Sequence, residues 1–319
     1  MALRSGLSAQ VGYVGESVWG TPVTVTRFIP ALASNLKPNL EIAEVVSESI
    51  WPGNLVQSTV DITQGTQIAK PSVGHEIYDR SVGLLLKHMF GSVVTSGAGP
   101  YTHTFTPGDT AGLGLTVQLG IPDVGGTVRP FTYAGAKVTG WEMKCAVGQV
   151  ATMGLDFIAK SQTTATALAS ASFASSMVPH KFSGIGVTIG GSSANVKSIT
   201  FKGDNKMSDD RYFLGTTALA EPIETDQWEY TGELEMEFES LTNYALFTAA
   251  TDTAVVATMT TGSSTLTITT NARFGQTAPD VSRGPTMLKL PFRCIRSSGT
   301  GAASTAISAV YVNAVDSTP

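Results

Sequence analysis

Residues 227–250 read QWEYTGELEMEFESLTNYALFTAA, and within them Glu233-Leu234-Glu235-Met236-Glu237-Phe238-Glu239 alternates strictly between acid and apolar residue. Period two is the strand signature, because successive side chains of an extended chain point to opposite faces. No helical face collects Leu234, Met236 and Phe238 while excluding the glutamates. The segment therefore reads as a strand with one apolar side and one all-acid side. Same-face neighbours sit roughly 6.6 Å apart, twice the rise per residue. Each such carboxylate pair repels by about 0.6 kcal/mol in water and by about 2.5 kcal/mol at an effective dielectric of about 20. Four in a row are tolerable only against water. Two readings satisfy that condition: the solvated outer face of a sandwich, or the wall of a water-filled passage that must not hold something negative.

The 319-residue chain is long enough for one large or two ordinary domains with a sizeable core. Charged residues make up only 14% and there are 33 glycines, which indicates an all-β protein with many turns. Low charge content also points to surface buried against partners. The formal net charge of -5, with no Lys/Arg cluster, argues against a nucleic-acid binder. Cys145 and Cys294 each sit in an apolar–polar alternation without a neighbouring metal-ligand pattern, so buried free thiols are expected. The opening MALRSGLSAQVGYVG has no apolar core of the kind a signal peptide needs. The longest run of Leu, Ile or Val, Leu84-Leu85-Leu86, is too short to span a membrane.

Residues 1–36 read as irregular apart from a short extended arm at Val23-Thr24-Val25-Thr26. Strands are expected over 37–50, 58–62, 67–77 and 113–121, with Trp51-Pro52-Gly53-Asn54 as a break. In SVGLLLKHMF the period changes: Val82, Leu85, Leu86, Met89 and Phe90 recur at helical spacing, with Ser81 as N-cap and Gly91 as stop. Segments 131–146 and 149–160 form a hairpin around Val147-Gly148, with Trp141, Met143, Cys145, Ala151, Met153, Leu155 and Phe157 inward. Residues 161–176 are small and polar, the composition of a linker. A second hairpin is expected from 182–189 and 196–202, then a polar loop over 204–222. The acidic strand follows, then a helix over 240–250 and strands over 263–270, 286–296 and 306–315. A strand, a serine-led short helix, a loop and a strand thus occur in each half, with Ser81 and Ser240 159 residues apart. That is the pattern a diverged internal duplication leaves.

The residues give little sign of catalysis. A nucleophile elbow, a phosphate-loop lysine motif and an HExxH zinc motif are all absent. Gly184, Gly186, Gly190 and Gly191 suit a twisted hairpin and lack the spacing of a phosphate loop. His75, His88, His103 and His180 fall in four separate segments. Asp204, Asp209 and Asp210 match no calcium loop. The acids of 233–239 form one like-charged row without the contrasting environments that split carboxylate pKa values. We expect no enzyme, no cofactor and no metal.

Four stretches together resemble the major tail tube proteins of long-tailed, non-contractile (siphovirus-type) bacteriophages. They are GYVGESVWGTPVTVTRFIP from Gly12, SVGLLLKHMFG from Ser81, YTHTFTPGDT from Tyr101, and FTYAGAKVTGWEMKCAVGQVATMGLDFIAK from Phe131. Their order and spacing, over residues 10–160, carry the resemblance; the remainder agrees by pattern. It implies an all-β, mainly antiparallel fold: a β-sandwich or barrel with a short flanking helix, here duplicated in tandem. The division would be an N-terminal arm (1–36), a first β domain (37–160), a linker (161–178) and a second β domain (179–319).

The resemblance also implies self-assembly into rings stacked as a hollow tube in the virion tail, put together in the host bacterial cytoplasm. A duplicated chain would form trimeric rings with pseudo-sixfold symmetry, an unduplicated one hexamers. The lumen would pass the tape measure protein and double-stranded DNA without tight binding, and the tube ends would meet tail terminator and tail tip proteins. On that basis Glu233, Glu235, Glu237 and Glu239 are expected to face the lumen. Glu76 is a weaker candidate by the repeat, and Glu142, Lys144, Gln149, Thr152 and Asp156 are the competing set. Residues 47–65 with Trp51, and 204–222, are expected inter-ring loops. Trp19 and Phe28 are further contact candidates, although their arm can equally fold back on its own domain. The alternative is a monomeric or small-oligomer β-sandwich binding module of a virion, a tail-tip, decoration or glycan-binding protein, with Trp51, Trp141 and Trp228 as stacking platforms.

Overall fold

The alternation at 233–237 is a strand, with Leu234 and Met236 buried and Glu233 and Glu237 exposed. The computed structural model describes residues 5–53, 55–281, 283–297 and 305–313. The chain begins with β1 (Gln10–Gly15), β2 (Arg27–Ile29), β3 (Leu40–Val46), β4 (Ile62–Ala69) and β5 (Ser72–Glu76). Helix α1 (Gly83–Phe90) leads into β6 (Gly91–Ser96), β7 (Tyr101–Pro107), β8 (Leu115–Pro122), β9 (Val128–Ala146) and β10 (Thr152–Ile158). Then come β11 (Ser161–Thr163), β12 (Ile185–Ile189), β13 (Ser192–Ser193), β14 (Val196–Asp204) and β15 (Glu229–Glu237). Helix α2 (Leu241–Thr248) precedes β16 (Asp252–Thr261), β17 (Ser264–Phe274), β18 (Pro279–Asp280), β19 (Met287–Cys294) and β20 (Ile307–Asn313). Among the described residues no helix is long and apolar enough to cross a membrane. Asn54, and the predicted strand end at Val315, lie outside the described residues.

The strands build an all-β, antiparallel sandwich. One layer runs β5-β10-β9-β14-β15-β19. The other runs β12-β16-β17-β20-β7-β6. The two join at a corner where the end of β17 (Ala272, Arg273, Phe274) pairs with β19. Between them lies one apolar core, crossed by Cys145 Sγ of β9 against Met259 Sδ of β16 at 3.8 Å. Trp141 packs on Phe90 of α1 and on Tyr230 of β15, so the helix and both chain halves share one aromatic cluster. Such clusters carry much of a core's stabilisation because each ring buries a large apolar area.

Strand β9 is 19 residues long and serves two sheets. Its first part pairs with β8 and β11 in a side sheet completed by β1 and β2; its second part pairs with β10 and β14. The change of direction falls near Gly135, at φ 65, where a Cβ would meet the Trp19 ring at 2.9 Å. Only glycine adopts that backbone so close to an indole. Residues 161–173 lie along this side sheet, and Ser175 and Val178 then bond Arg80 and Asp79. Gln118 bonds Ala167 O at 3.1 Å and Ala169 N at 2.8 Å, Gln10 reaches Ala169 O at 2.8 Å, and Phe173 meets Phe28 edge-on. The main sheet continues past this segment through the β9–β14 pairing, and one core cluster spans both halves.

Local signals held in some places and were overruled in others. Gly91, at φ 84, stops α1, and the Ser240 side chain accepts from Thr242 N at the start of α2. Ser81 is not the N-cap: Val82 takes that place, and Ser81 turns the chain at φ 65 while its carbonyl accepts from the Tyr13 hydroxyl. Tertiary anchoring there displaces the cap. The 182–189/196–202 hairpin is also corrected. Strand β12 pairs with β13 and β16 whereas β14 pairs with β9 and β15, so the two segments lie in opposite layers. Residues 10–15 and 252–261 form strands not anticipated from sequence. Gly12 and Gly15 mask the first, and the small Ala/Thr contrast of TAVVATMTT masks the second.

The histidines generate an acid-stability prediction. His75, His88 and His180 are buried, and burial pushes their pKa values down to about 4, 3 and 4. They are neutral in the fold, while the unfolded chain protonates near the ordinary pKa of about 6.5. Stability is therefore full above about pH 6.5 and is lost as pH falls toward 4, on the order of 3 kcal/mol from His75 alone. Melting temperature should be flat above pH 7 and fall steeply between pH 6 and 4, with a shallower fall in His75→Leu.

A second prediction concerns Lys137. It is buried, donates to Thr110 O at 2.9 Å and Pro222 O at 3.1 Å, and pairs with Glu221 at 2.7 Å. Lys137→Ala strands those acceptors and should cost about 3 kcal/mol. Limited proteolysis should then cut within 205–224 faster than in the wild type.

Candidate functional site: a charged sheet face and an exposed arm

The outward face of the first layer collects side chains from strands far apart in sequence. Cross-strand register gives three rows: Glu76–Thr152–Lys144–Thr200–Glu233–Pro291, then Gly74–Gly154–Glu142–Lys202–Thr231–Arg293, then Ser72–Asp156–Gly140–Asp204–Glu229. A fourth places Ser198, Glu235 and Lys289 side by side. The glutamates of β15 and the competing residues Glu142, Lys144, Thr152 and Asp156, with Glu76, therefore occupy one face of one sheet. Gln149 lies in the adjoining turn, outside the strands.

Each glutamate has a distinct setting. Glu233 is exposed between Thr200 and Pro291. Glu235 is half-buried and accepts from Ser198 Oγ at 3.2 Å. Glu237 pairs with Lys197 at 2.8 Å. Glu239 falls beyond the strand and accepts from Asn195 Nδ2 at 3.0 Å. The sequence shows only the acid stripe; the sheet interleaves it with cations. Lys202 pairs with Glu142 at 3.1 Å, and Lys144, Lys289 and Arg293 stand in the same rows. Acids still outnumber cations along them. Exposed pairs of this kind contribute little to stability, so the face is a solvated, net-negative surface with its repulsion partly offset. Those cations come from partner strands remote in sequence, where no local pattern could reveal them.

The second feature is a two-stranded arm, β3 paired with β4, with residues 47–61 at its tip. Strands are usually apolar where they are covered; this one is apolar where it is not. Ile42, Val45, Val46 and Ile62 are exposed on the ribbon, and Ile50 (94%), Trp51 (56%), Leu55 (100%) and Val56 (83%) at the tip. Exposed apolar side chains clustered this way are uncommon on a chain that stays alone in water. Between residues 38 and 69 there are four acids (Glu41, Glu44, Glu48, Asp61) and no Lys or Arg.

The structure brings the second predicted loop to the arm's base. Gln67 N donates to Thr217 O at 2.9 Å, Tyr212 OH donates to Gln67 O at 3.1 Å, and Lys70 pairs with Asp209 at 3.2 Å. Phe213 and Leu214 are exposed on that loop. Trp19 and Phe28 fold back onto their own chain. Trp19 Nε1 donates to Gly135 O at 3.0 Å with Lys160 Nζ over its ring, and Phe28 is buried against Gly12 and Phe173. Trp51 alone of the three contact candidates presents its ring to solvent.

The groups with chemical potential are sheltered. Cys145 and Cys294 are free, buried thiols, pushed up to about 12 by burial. Trp141 is core and Trp228 packs edge-on against Tyr230, so neither joins Trp51 in a platform. Among the described residues no three His, Cys, Asp or Glu side chains gather where they could hold a metal ion.

Among curated proteins none matches the chain. Residues 6–294 match the family model Phage_tube_2, described as phage tail tube protein. That match covers nearly all of the sequence, including the acidic strand and the exposed arm: the chain belongs to the phage tail tube protein family.

Proposed function

We propose that copies of this chain close into rings around a channel, that the rings stack into the tail tube, and that genomic DNA travels through the channel. The observation that carries the reading is the β3–β4 arm, whose exposed Ile, Val, Leu and Trp side chains find no cover among the described residues. Apolar area of that kind is stabilised only when another surface excludes water from it. The net-negative sheet face suits a lumen wall: acids repel the DNA backbone, whereas a cationic wall would trap it through counterion release. The interleaved lysines limit the self-repulsion that a closed ring of carboxylates would otherwise accumulate.

The recurrence of elements supports a pseudo-sixfold ring of three chains. Strand β5, helix α1 and the β6–β7 hairpin have their counterpart in β15, α2 and the β16–β17 hairpin. Glu76 and Glu235, 159 residues apart like Ser81 and Ser240, lie on the outward face of the same sheet, in neighbouring cross-strand rows. In this reading the tape measure protein precedes DNA in the lumen, and terminator and tip proteins cap the tube. Assembly takes place in the host bacterial cytoplasm.

Negative-stain electron microscopy across a concentration series tests the class. Hollow striated tubes are expected, and rotational averages should separate three chains per ring from six. Small globular particles at every concentration, even with tail initiator proteins added, would overturn the reading.

Two variants test its parts. Glu233→Lys, Glu235→Lys and Glu237→Lys combined should leave tubes intact and slow DNA release from assembled particles. If ring formation is lost instead, the strand is a subunit contact. Trp51→Ser should leave the melting temperature within about 2 °C, because the ring is exposed and makes little core contact. It should raise the concentration needed for polymerisation roughly 30-fold, the equivalent of a hot-spot loss of about 2 kcal/mol.

A further inference from the structure

We infer that the arm tip of one copy seats Trp51 in a groove of the next copy, between the Val147–Gly148 turn and Phe182; this rests on the self-assembly reading above. The groove holds about 300 Å³ and is lined by Val147, Phe182, Ile185, Val187, Val196 and Lys197 among others. Val147 (63%) and Phe182 (45%) leave it open to solvent as an apolar rim. Its volume is at the small end of ligand-sized pockets, the scale of one aromatic side chain with its neighbours.

Charge selects the occupant. No Asp or Glu lines the groove. Lys197 in its wall is neutralised by Glu237 at 2.8 Å and Asn195 is bonded to Glu239, while exposed Lys181, next to Phe182, has no ion pair among the described residues. The arm offers the complement: Glu44, Glu48 and Asp61 toward its tip (Glu41, at the base, pairs with Lys70 at 3.6 Å), no cation between 38 and 69, and the exposed Ile50, Trp51, Leu55 and Val56. An acidic, apolar tip fits an apolar groove whose rim carries the unpaired Lys181.

Position supplies the independent argument. In the main sheet Ser72 pairs with Asp156, and Asp156 with Gly140; Glu76 pairs with Thr152, and Thr152 with Lys144. The arm leaves the sheet at the Ser72 end through Ala69, which bridges to Ala159. The groove lies at the opposite end, beyond Lys144 and Ala146. Arm and groove are thus displaced along the strand direction. A contact between them is head-to-tail, and a head-to-tail contact that does not close on itself repeats along a filament.

The test uses the full chain. Protein carrying Trp51→Cys is mixed with protein carrying Phe182→Cys under polymerising conditions and a mild oxidant; the native thiols are buried and stay silent. A covalent dimer should form in the mixture and not with either protein alone. Phe182→Ala, whose ring is exposed, should keep the wild-type melting temperature and accumulate unstacked rings in place of tubes. Tubes that form without the cross-link, together with normal stacking of Phe182→Ala, would overturn the groove assignment and leave the tube reading standing. A cross-link confined to isolated single rings would overturn it too, since the contact would be lateral. Wild-type protein that never polymerises would remove both readings.

Discussion

The fold depends on one constraint: Leu234 and Met236 must lie between two sheets while the glutamates that separate them stay in water. A strand that alternates this sharply has one acceptable register, because a slip of one residue would bury carboxylates and expose the apolar set. Once β15 is placed, Leu234 aligns with Ile199 and Leu290 and Met236 with Leu288, so β14 and β19 inherit its phase. β14 passes it to β9 through Phe201 opposite Met143, and β9 passes it to β10 through Met143 opposite Met153. The polar face is the other side of the same arrangement.

Core and arm obey opposite rules. In the sandwich nearly every large apolar side chain is covered, and α1 is buried almost throughout. The arm keeps its apolar residues in solvent, joined to the body mainly through Leu40, Ala69 and the loop at Gln67. A chain that folds alone does not gain from such an arm, since its exposed surface adds no folding free energy and invites association. It becomes favourable when association is the state selected. The Lys137 clamp and the Lys70–Asp209 pair then hold the neighbouring loop beside the arm's base.

Much of this is legible in the sequence alone. The all-β class follows from period-two segments and glycine-rich turns, the antiparallel sandwich from the resemblance to tail tube proteins, and α1 from the spacing of Val82, Leu85, Leu86, Met89 and Phe90. The exposed tryptophan at 51 and the acid face of 233–237 were also visible. What escaped had physical causes. Ser81 looks like a cap until Tyr13 claims its carbonyl. Segments 182–189 and 196–202 look like a hairpin because adjacency in sequence favours pairing, yet their side chains do better facing a common core from opposite layers. Phe28 reads as a candidate contact and is buried by Phe173, a partner 145 residues away.

Sequence by itself determined the period of each element and the sides of each strand, because alternation and helical spacing are local properties of the backbone. Tertiary structure alone decided which strands became neighbours, and with that the charge of the outward face: Lys144, Lys202, Lys289 and Arg293 reach the acid stripe through pairings across the sheet. It likewise decided that the arm and the Val147–Phe182 groove stand at opposite ends of the strands. Pairing follows from how a whole apolar core closes, and that sum over distant residues is written in no single segment.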